Sequence, residues 1–205
     1  MGIKIYRVLR IAFVITLISI VAFSQSPEGL KKGDTAPLFR AEDQFGKQFD
    51  LKKELAKGPM VLFFYRGHWC KYCNRQLEEL SDSLKYIVDA GANIVAVTPE
   101  VMEFVDETSK QYEGAFRIIS DTEMKIMKSY RVNFTLDEAT AKRYDSKGIK
   151  LDLFNGTNGT NLPVPATYII STSGKIDYVY FDPNYRNRVS VSEIVRQLHQ
   201  TSAVN

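Results

Sequence analysis

Residues 60–88 constrain the fold of this chain more than any other stretch. Met60–Tyr65 (MVLFFY) is an unbroken apolar run, the pattern of a strand buried on both faces. Leu77, Leu80, Leu84, Ile87 and Val88 then recur at helical spacing, and Gly91 supplies a stop. Between them lies RGHWCKYC, which carries the only two cysteines of the chain, Cys70 and Cys73. A Cys-x-x-Cys pair at a strand-to-helix junction is a redox device. The helix start offers unpaired N–H groups and the positive end of the dipole, and both stabilise a thiolate. With no other cysteine in the chain, the pair can bond only to each other, to a partner molecule or to a metal.

The flanking pattern predicts an α/β fold. Ala41–Phe49 reads as a hairpin around Gln44-Phe45-Gly46, and Leu51–Ala56 as a short helix. Asn93–Thr98 is a second buried strand, followed by a helix over Glu100–Tyr112 and a short strand at Phe116–Ile119. Ser120-x-x-Glu123 has the form of a capping box opening another helix. Asp137–Tyr144 reads as helix and Asn155–Asn161 (NGTNGTN) as loop. Thr167–Ile170 and Lys175–Phe181 form an antiparallel hairpin about Ser173-Gly174, and Ser190-x-x-Glu193 caps a final helix. Strand–helix alternation of this kind predicts a mixed, mainly parallel sheet with helices on both faces.

The first 24 residues read as a leader. Lys4, Arg7 and Arg10 precede the apolar stretch Ile11–Phe23, and Ala22-Phe23-Ser24 fits a small-x-small cleavage site. The Ile11–Phe23 stretch of thirteen residues, apolar apart from Thr16 and Ser19, falls short of the roughly 20 that span a bilayer as a helix. A membrane link is therefore expected only through an uncleaved leader. Residues 25–36, rich in Ser, Pro, Gly and Lys, read as a linker, and residues 37–205 as one domain. The net charge of +3 equals the three basic groups of the leader, leaving 24 basic against 24 acidic groups beyond it. No basic patch then argues for a nucleic-acid partner. Export predicts a periplasmic or secreted protein, where structural disulfides normally join distant segments. A bridge from residue 70 to 73 closes almost no loop, so this pair is better explained by chemistry than by stability.

Gly33-Asp34-Thr35-Ala36-Pro37, FYRGHWCKYCNRQL (64–77), LPVPATYII (162–170) and FDPNYRNR (181–188) stand out as motifs. Together they resemble the peroxiredoxin-like branch of the alkyl hydroperoxide reductase/thiol-specific antioxidant family. The resemblance implies a thioredoxin fold, with Pro165 as a cis proline facing the sulfurs, and a thiol-dependent oxidoreductase. It also departs from the family pattern. Laid on Pro-x-x-x-Thr-x-x-Cys, Cys73 is the peroxidatic position, Cys70 replaces the threonine and Arg66 the proline, while Pro165 stands where the family carries an arginine. That threonine and arginine normally lower the thiolate pKa and orient the peroxide.

The expected function is thiol–disulfide exchange through Cys70 and Cys73, with slow peroxidase activity. Cys70, nearer the helix start, is taken as the more exposed attacking thiol. In the alternative register Cys73 is oxidised by hydrogen or alkyl peroxide and Cys70 resolves it. A third reading, of another class, is a non-enzymatic thioredoxin-fold protein using the pair for docking or metal capture. Trp69 flanks the pair and restricts water. His68 either tunes the thiol or is an exposed turn histidine, and Arg66 either stabilises a thiolate or is salt-bridged or solvated. Asp182, Tyr185, Arg186 and Arg188 read as a solvated turn or, alternatively, as a polar rim near the site, and segment 132–163 is a candidate cap over the site. No nucleotide-binding glycine motif is present, so no bound cofactor is expected. Electrons would come from a thioredoxin-like or membrane-relayed thiol donor.

Overall fold

A computed structural model describes residues 27–202, so the expected leader lies outside the described residues. Strands β1 (Arg40–Glu42) and β2 (Gln48–Asp50) form the expected hairpin, and α1 (Leu51–Leu55) follows directly. Next come β3 (Met60–Phe64), α2 (Lys71–Asp82), α3 (Leu84–Asp89), β4 (Asn93–Thr98), α4 (Met102–Gln111) and β5 (Arg117–Ser120). The chain continues through α5 (Lys125–Ser129), β6 (Asn133–Thr135), α6 (Glu138–Asp145) and α7 (Leu151–Asn155). It ends with β7 (Asn161–Pro163), β8 (Ala166–Ile170), β9 (Ile176–Phe181) and α8 (Val191–Ser202).

The central sheet has the order β5-β4-β3-β8-β9. Strands β3, β4 and β5 run parallel, while β8 and β9 are antiparallel to their neighbours, so the sheet is evenly mixed rather than mainly parallel. Every residue of β3 is buried, because both faces are covered. Met60, Leu62 and Phe64 pack with α1 and α5 on one side, and Val61, Phe63 and Tyr65 with α2, α3, α4 and α8 on the other. The period-2 alternation of side chains in an extended strand produces this division. The hinge of the redox motif is therefore rooted in the middle strand of the sheet.

Three expectations are corrected. The stretch expected as a linker is docked wherever it is described. Leu30 is buried in the core, its N–H donates to the Tyr168 hydroxyl at 3.2 Å, and Ala36 N–H donates to Gly174 O at 2.9 Å. Its polar composition hides two apolar anchors that close over β8 and β9. The Ser120-x-x-Glu123 box caps nothing. Ser120 Oγ donates to Glu100 O, Glu123 pairs with Lys125, and the Asp121 carboxylate accepts Met127 N–H at 2.8 Å in the first turns of α5. The apolar stripe 77–88 also spans two helices rather than one, because Ser83 departs from helical geometry with φ −109° and ψ 10°.

The final cap is as expected, with Ser190 Oγ accepting Glu193 N–H at 3.2 Å. Replacing Ser190 by alanine is expected to cost about 1 kcal/mol of unfolding free energy, read as a lowered urea midpoint at unchanged m-value.

Candidate active site

The chain leaves β3 through Tyr65, Arg66, Gly67, His68 and Trp69 before Cys70 caps α2 in an extended conformation. Gly67 has φ +143°, and a Cβ there would fall 2.5 Å from Trp69 Nε1 and 2.6 Å from Glu100 Oε1, so only glycine fits this close approach. Glu100, fully buried after β4, holds the turn. Its carboxylate accepts the His68 backbone N–H at 3.0 Å, lies 2.6 Å from His68 Nδ1 and accepts from Thr98 Oγ1 at 3.3 Å. A buried carboxylate with this many partners meets the condition for burial without large cost.

Both cysteines are reduced and buried. Cys70 keeps 4% of its surface and Cys73 none, so the difference in exposure expected from sequence is slight. Their ionisation is more unequal. Burial opposes charge on Cys73, but four contacts outweigh it: a hydrogen bond from Cys70, the Arg188 charge, the Arg66 backbone amide and the Arg66 guanidinium charge. Together they draw its pKa down to about 6. Cys70 is pushed upward, first because its proton is held in the hydrogen bond to Cys73 and then by burial. Negative charge is therefore favoured on Cys73 and disfavoured on Cys70. Position at the helix start favoured Cys70, but the positive groups converge on Cys73.

Arg188, expected in a solvated turn, supplies one of those groups. Its Nη2 donates to Cys73 Sγ at 3.5 Å, while Nη1 is fixed by Asn187 O at 2.6 Å and by Tyr185 O. Of the two alternatives for Arg66, the salt-bridged or solvated one does not hold, and its charge favours the Cys73 thiolate. It keeps 2% of its surface and lies between aromatic faces, 4.3 Å from the Tyr185 ring centroid, 4.9 Å from Trp69 and 5.6 Å from Tyr144. Its Nη2 donates to the Tyr144 hydroxyl at 2.6 Å. Aromatic faces offer a desolvated guanidinium a negative quadrupole in place of a carboxylate.

Trp69 forms one wall of this cage and meets Tyr144 edge-on at 5.5 Å. His68 is neither an exposed turn residue nor a recorded partner of either sulfur. It stacks on Phe104 at 4.9 Å and meets the edge of Phe154 at 4.7 Å. Asp182 stays in the turn, accepting from Asn184 N and Asn187 Nδ2. Pro165 lines the cavity beside Arg66, but the expected cis bond is absent, since every described peptide bond is trans. Val164 N–H donates to Val132 O at 2.7 Å, and the chain passes extended from β7 into β8, where the ordinary trans form suffices.

Segment 132–163 folds over the site. Strands β6 and β7 pair as its stem, with Asn133 opposite Pro163. From it Tyr144 on α6 reaches Arg66, and Phe154 on α7 reaches His68. The NGTNGTN stretch is anchored rather than free, because buried Asn158 donates to both Pro99 O and Asp121 O at 3.1 Å. Sequence reasoning missed Glu100 and Tyr144, and had Tyr185 and Arg188 only as the polar-rim alternative to a solvated turn. The one signal present was the density of Tyr and Arg in FDPNYRNR.

Residues 32–179 match the model of the AhpC/TSA family. A putative chloroplastic peroxiredoxin Q from Oryza sativa subsp. indica is 28% identical over 151 residues. That match takes in 74% of this chain and 59% of the rice sequence, so the chain spans about three fifths of that relative's length. Thiol-disulfide oxidoreductase ResA of Bacillus subtilis is 25% identical over 150 residues, 73% of this chain and 66% of that protein. Among solved structures, peroxidoxin BcpB from Mycobacterium tuberculosis superposes with a TM-score of 0.65 at 19% identity. The superposition covers 83% of this chain and 97% of that one, and supports the thioredoxin-type fold expected from sequence.

Proposed function

Because the chain belongs to the AhpC/TSA family, we propose that it reduces hydroperoxides, with Cys73 as the attacking sulfur and Cys70 as its resolving partner. The observation that carries this reading is the Arg188 guanidinium, 3.5 Å from the sulfur of a fully buried Cys73. A sulfur without exposed surface is poorly placed to attack a protein disulfide, whereas a hydroperoxide is small enough to enter. The Cys73 thiolate attacks the distal peroxide oxygen, the O–O bond breaks, and the alkoxide leaves and takes a proton to become the alcohol. Arg188 steadies the negative charge as it moves from sulfur to the leaving oxygen. Cys70 then attacks the Cys73 sulfenic acid, forming the disulfide and releasing water. A thioredoxin-like dithiol donor reduces that disulfide and closes the cycle. The leader supports a periplasmic or secreted setting for this chemistry.

Disulfide exchange opening at Cys70 is the second reading. It is favoured by the position of Cys70 at the start of α2 and by its residual exposure. Mass spectrometry after one equivalent of hydroperoxide separates the two. Wild type is expected to lose two hydrogens to a Cys70–Cys73 disulfide, and Cys70→Ser to give a dimedone adduct on Cys73. A wild-type protein that resists hydroperoxide but is oxidised by a protein disulfide would favour the exchange reading.

A further inference from the structure

A cavity of about 560 Å³ opens beside the redox motif, and its wall carries Arg66, Arg143, Lys147 and Arg186 but no carboxylate. The same stretch of chain offers carboxylates and uses them elsewhere, with Lys142 pairing to Glu138 and Lys150 to Asp145. Arg143 bonds to Thr140 Oγ1 at 3.3 Å and makes no salt bridge, its charge reaching Asp137 only at longer range, and Arg186 lies over Tyr185 at 5.8 Å. The rest of the wall includes Phe134 and Val164, so an apolar surface faces the cations.

Arg66 joins this cavity to the chemistry. Its backbone amide faces the Cys73 sulfur, while its side chain lines the cavity with Nε lacking any hydrogen-bond partner. Arg66 and Arg188 bring two positive charges to one thiolate. A buried cation left without an equal counter-charge is costly, and a second anion in the cavity would relieve that cost.

We infer that this cavity binds the carboxylate end of an organic hydroperoxide, with Arg143 and Lys147 taking the carboxylate and the apolar wall its carbon body. The peroxide end is then directed past Arg66 towards Cys73. The inference rests on the peroxide chemistry proposed above and adds the substrate class. The reaction is unchanged, because the O–O bond is split, Cys73 gains the oxygen and the product is the carboxylated alcohol.

Cumene hydroperoxide and its para-carboxylated analogue differ by one charged group and test this directly. Wild type is expected to favour the carboxylated compound by about tenfold in kcat/KM, from two exposed charge contacts. The ratio should fall to about one in Arg143→Ala/Lys147→Ala and return in the charge-keeping Arg143→Lys/Lys147→Arg. Calorimetry with the two product alcohols, which cannot be reduced, reads the site without turnover. The carboxylated alcohol should bind wild type more tightly than the neutral one, with the difference lost in the double alanine variant. Equal binding of the two alcohols by wild type would overturn the inference whatever the rates. Preferential binding without reduction of either hydroperoxide would uphold the anion site and overturn the peroxide reading instead.

Discussion

Replacing Cys73 by serine is expected to lower first-turnover reduction of an organic hydroperoxide more than about a thousandfold, the scale of losing a catalytic nucleophile. A serine hydroxyl stays protonated at neutral pH, so the two guanidinium groups have no anion to stabilise at that position. Cys70→Ser should behave differently. Its hydroxyl can still donate to the Cys73 sulfur, as the Cys70 thiol does now. First-turnover oxidation then stays within about threefold of wild type, while steady-state turnover with a dithiol reductant stops for want of a resolving sulfur. Stopped-flow tryptophan fluorescence suits the measurement, since Trp69 is the only tryptophan and adjoins Cys70. A Cys70→Ser protein that loses the first turnover, beside a Cys73→Ser protein that keeps it, would assign attack to Cys70.

Arg188→Met is expected to slow the first turnover at pH 7 by about ten- to a hundredfold. The guanidinium favours the charged form of Cys73, so its removal raises the thiol pKa, and it also helps hold charge on the leaving oxygen. The sign follows from the nucleophile being the thiolate. In wild type the rate is expected to be half-maximal near pH 6, levelling off above it and falling below it as Cys73 takes a proton. In the variant that midpoint should move up by about one to two pH units, the effect of losing one adjacent charge. Thiolate absorbance near 240 nm, followed against pH in Cys70→Ser and Cys70→Ser/Arg188→Met, reads the shift without substrate. An unchanged midpoint would mean that Arg188 only closes the turn around Tyr185.

The scaffold was largely legible because its signals are local. MVLFFY is apolar throughout and becomes the central strand, NIVAVT becomes β4 over the same six residues, and Ser190 caps α8. The junction that holds the cysteines follows from the same local logic. The site was legible only where it is contiguous in sequence. Arg188 lies 115 residues from Cys73, and its hydrogen bond forms only once β9 has returned the chain beside α2. Polar residues in a turn are ordinarily solvated, so composition argued against it. Arg66 was opaque for a related reason. Its burial depends on Trp69, Tyr144 and Tyr185, three rings from three separate parts of the chain. Cys70 was favoured as nucleophile because the helix start can be read from sequence, whereas the approach of Arg188 and the inward turn of Arg66 towards Cys73 cannot.

The single helical turn between the cysteines has one more consequence. Cys73 N–H already bonds to Cys70 O at 2.8 Å, and the Cys70 thiol already donates to the Cys73 sulfur. The two residues are one turn apart, so in the proposed cycle the sulfur taken as resolving is local to the attacking one. A sulfenic acid formed there has an immediate intramolecular fate, and a second peroxide molecule must compete with a neighbour already in place. Under the proposed peroxide chemistry, such a pair is expected to resist overoxidation to sulfinic acid, read by mass spectrometry as little product at about +32 Da after excess hydroperoxide.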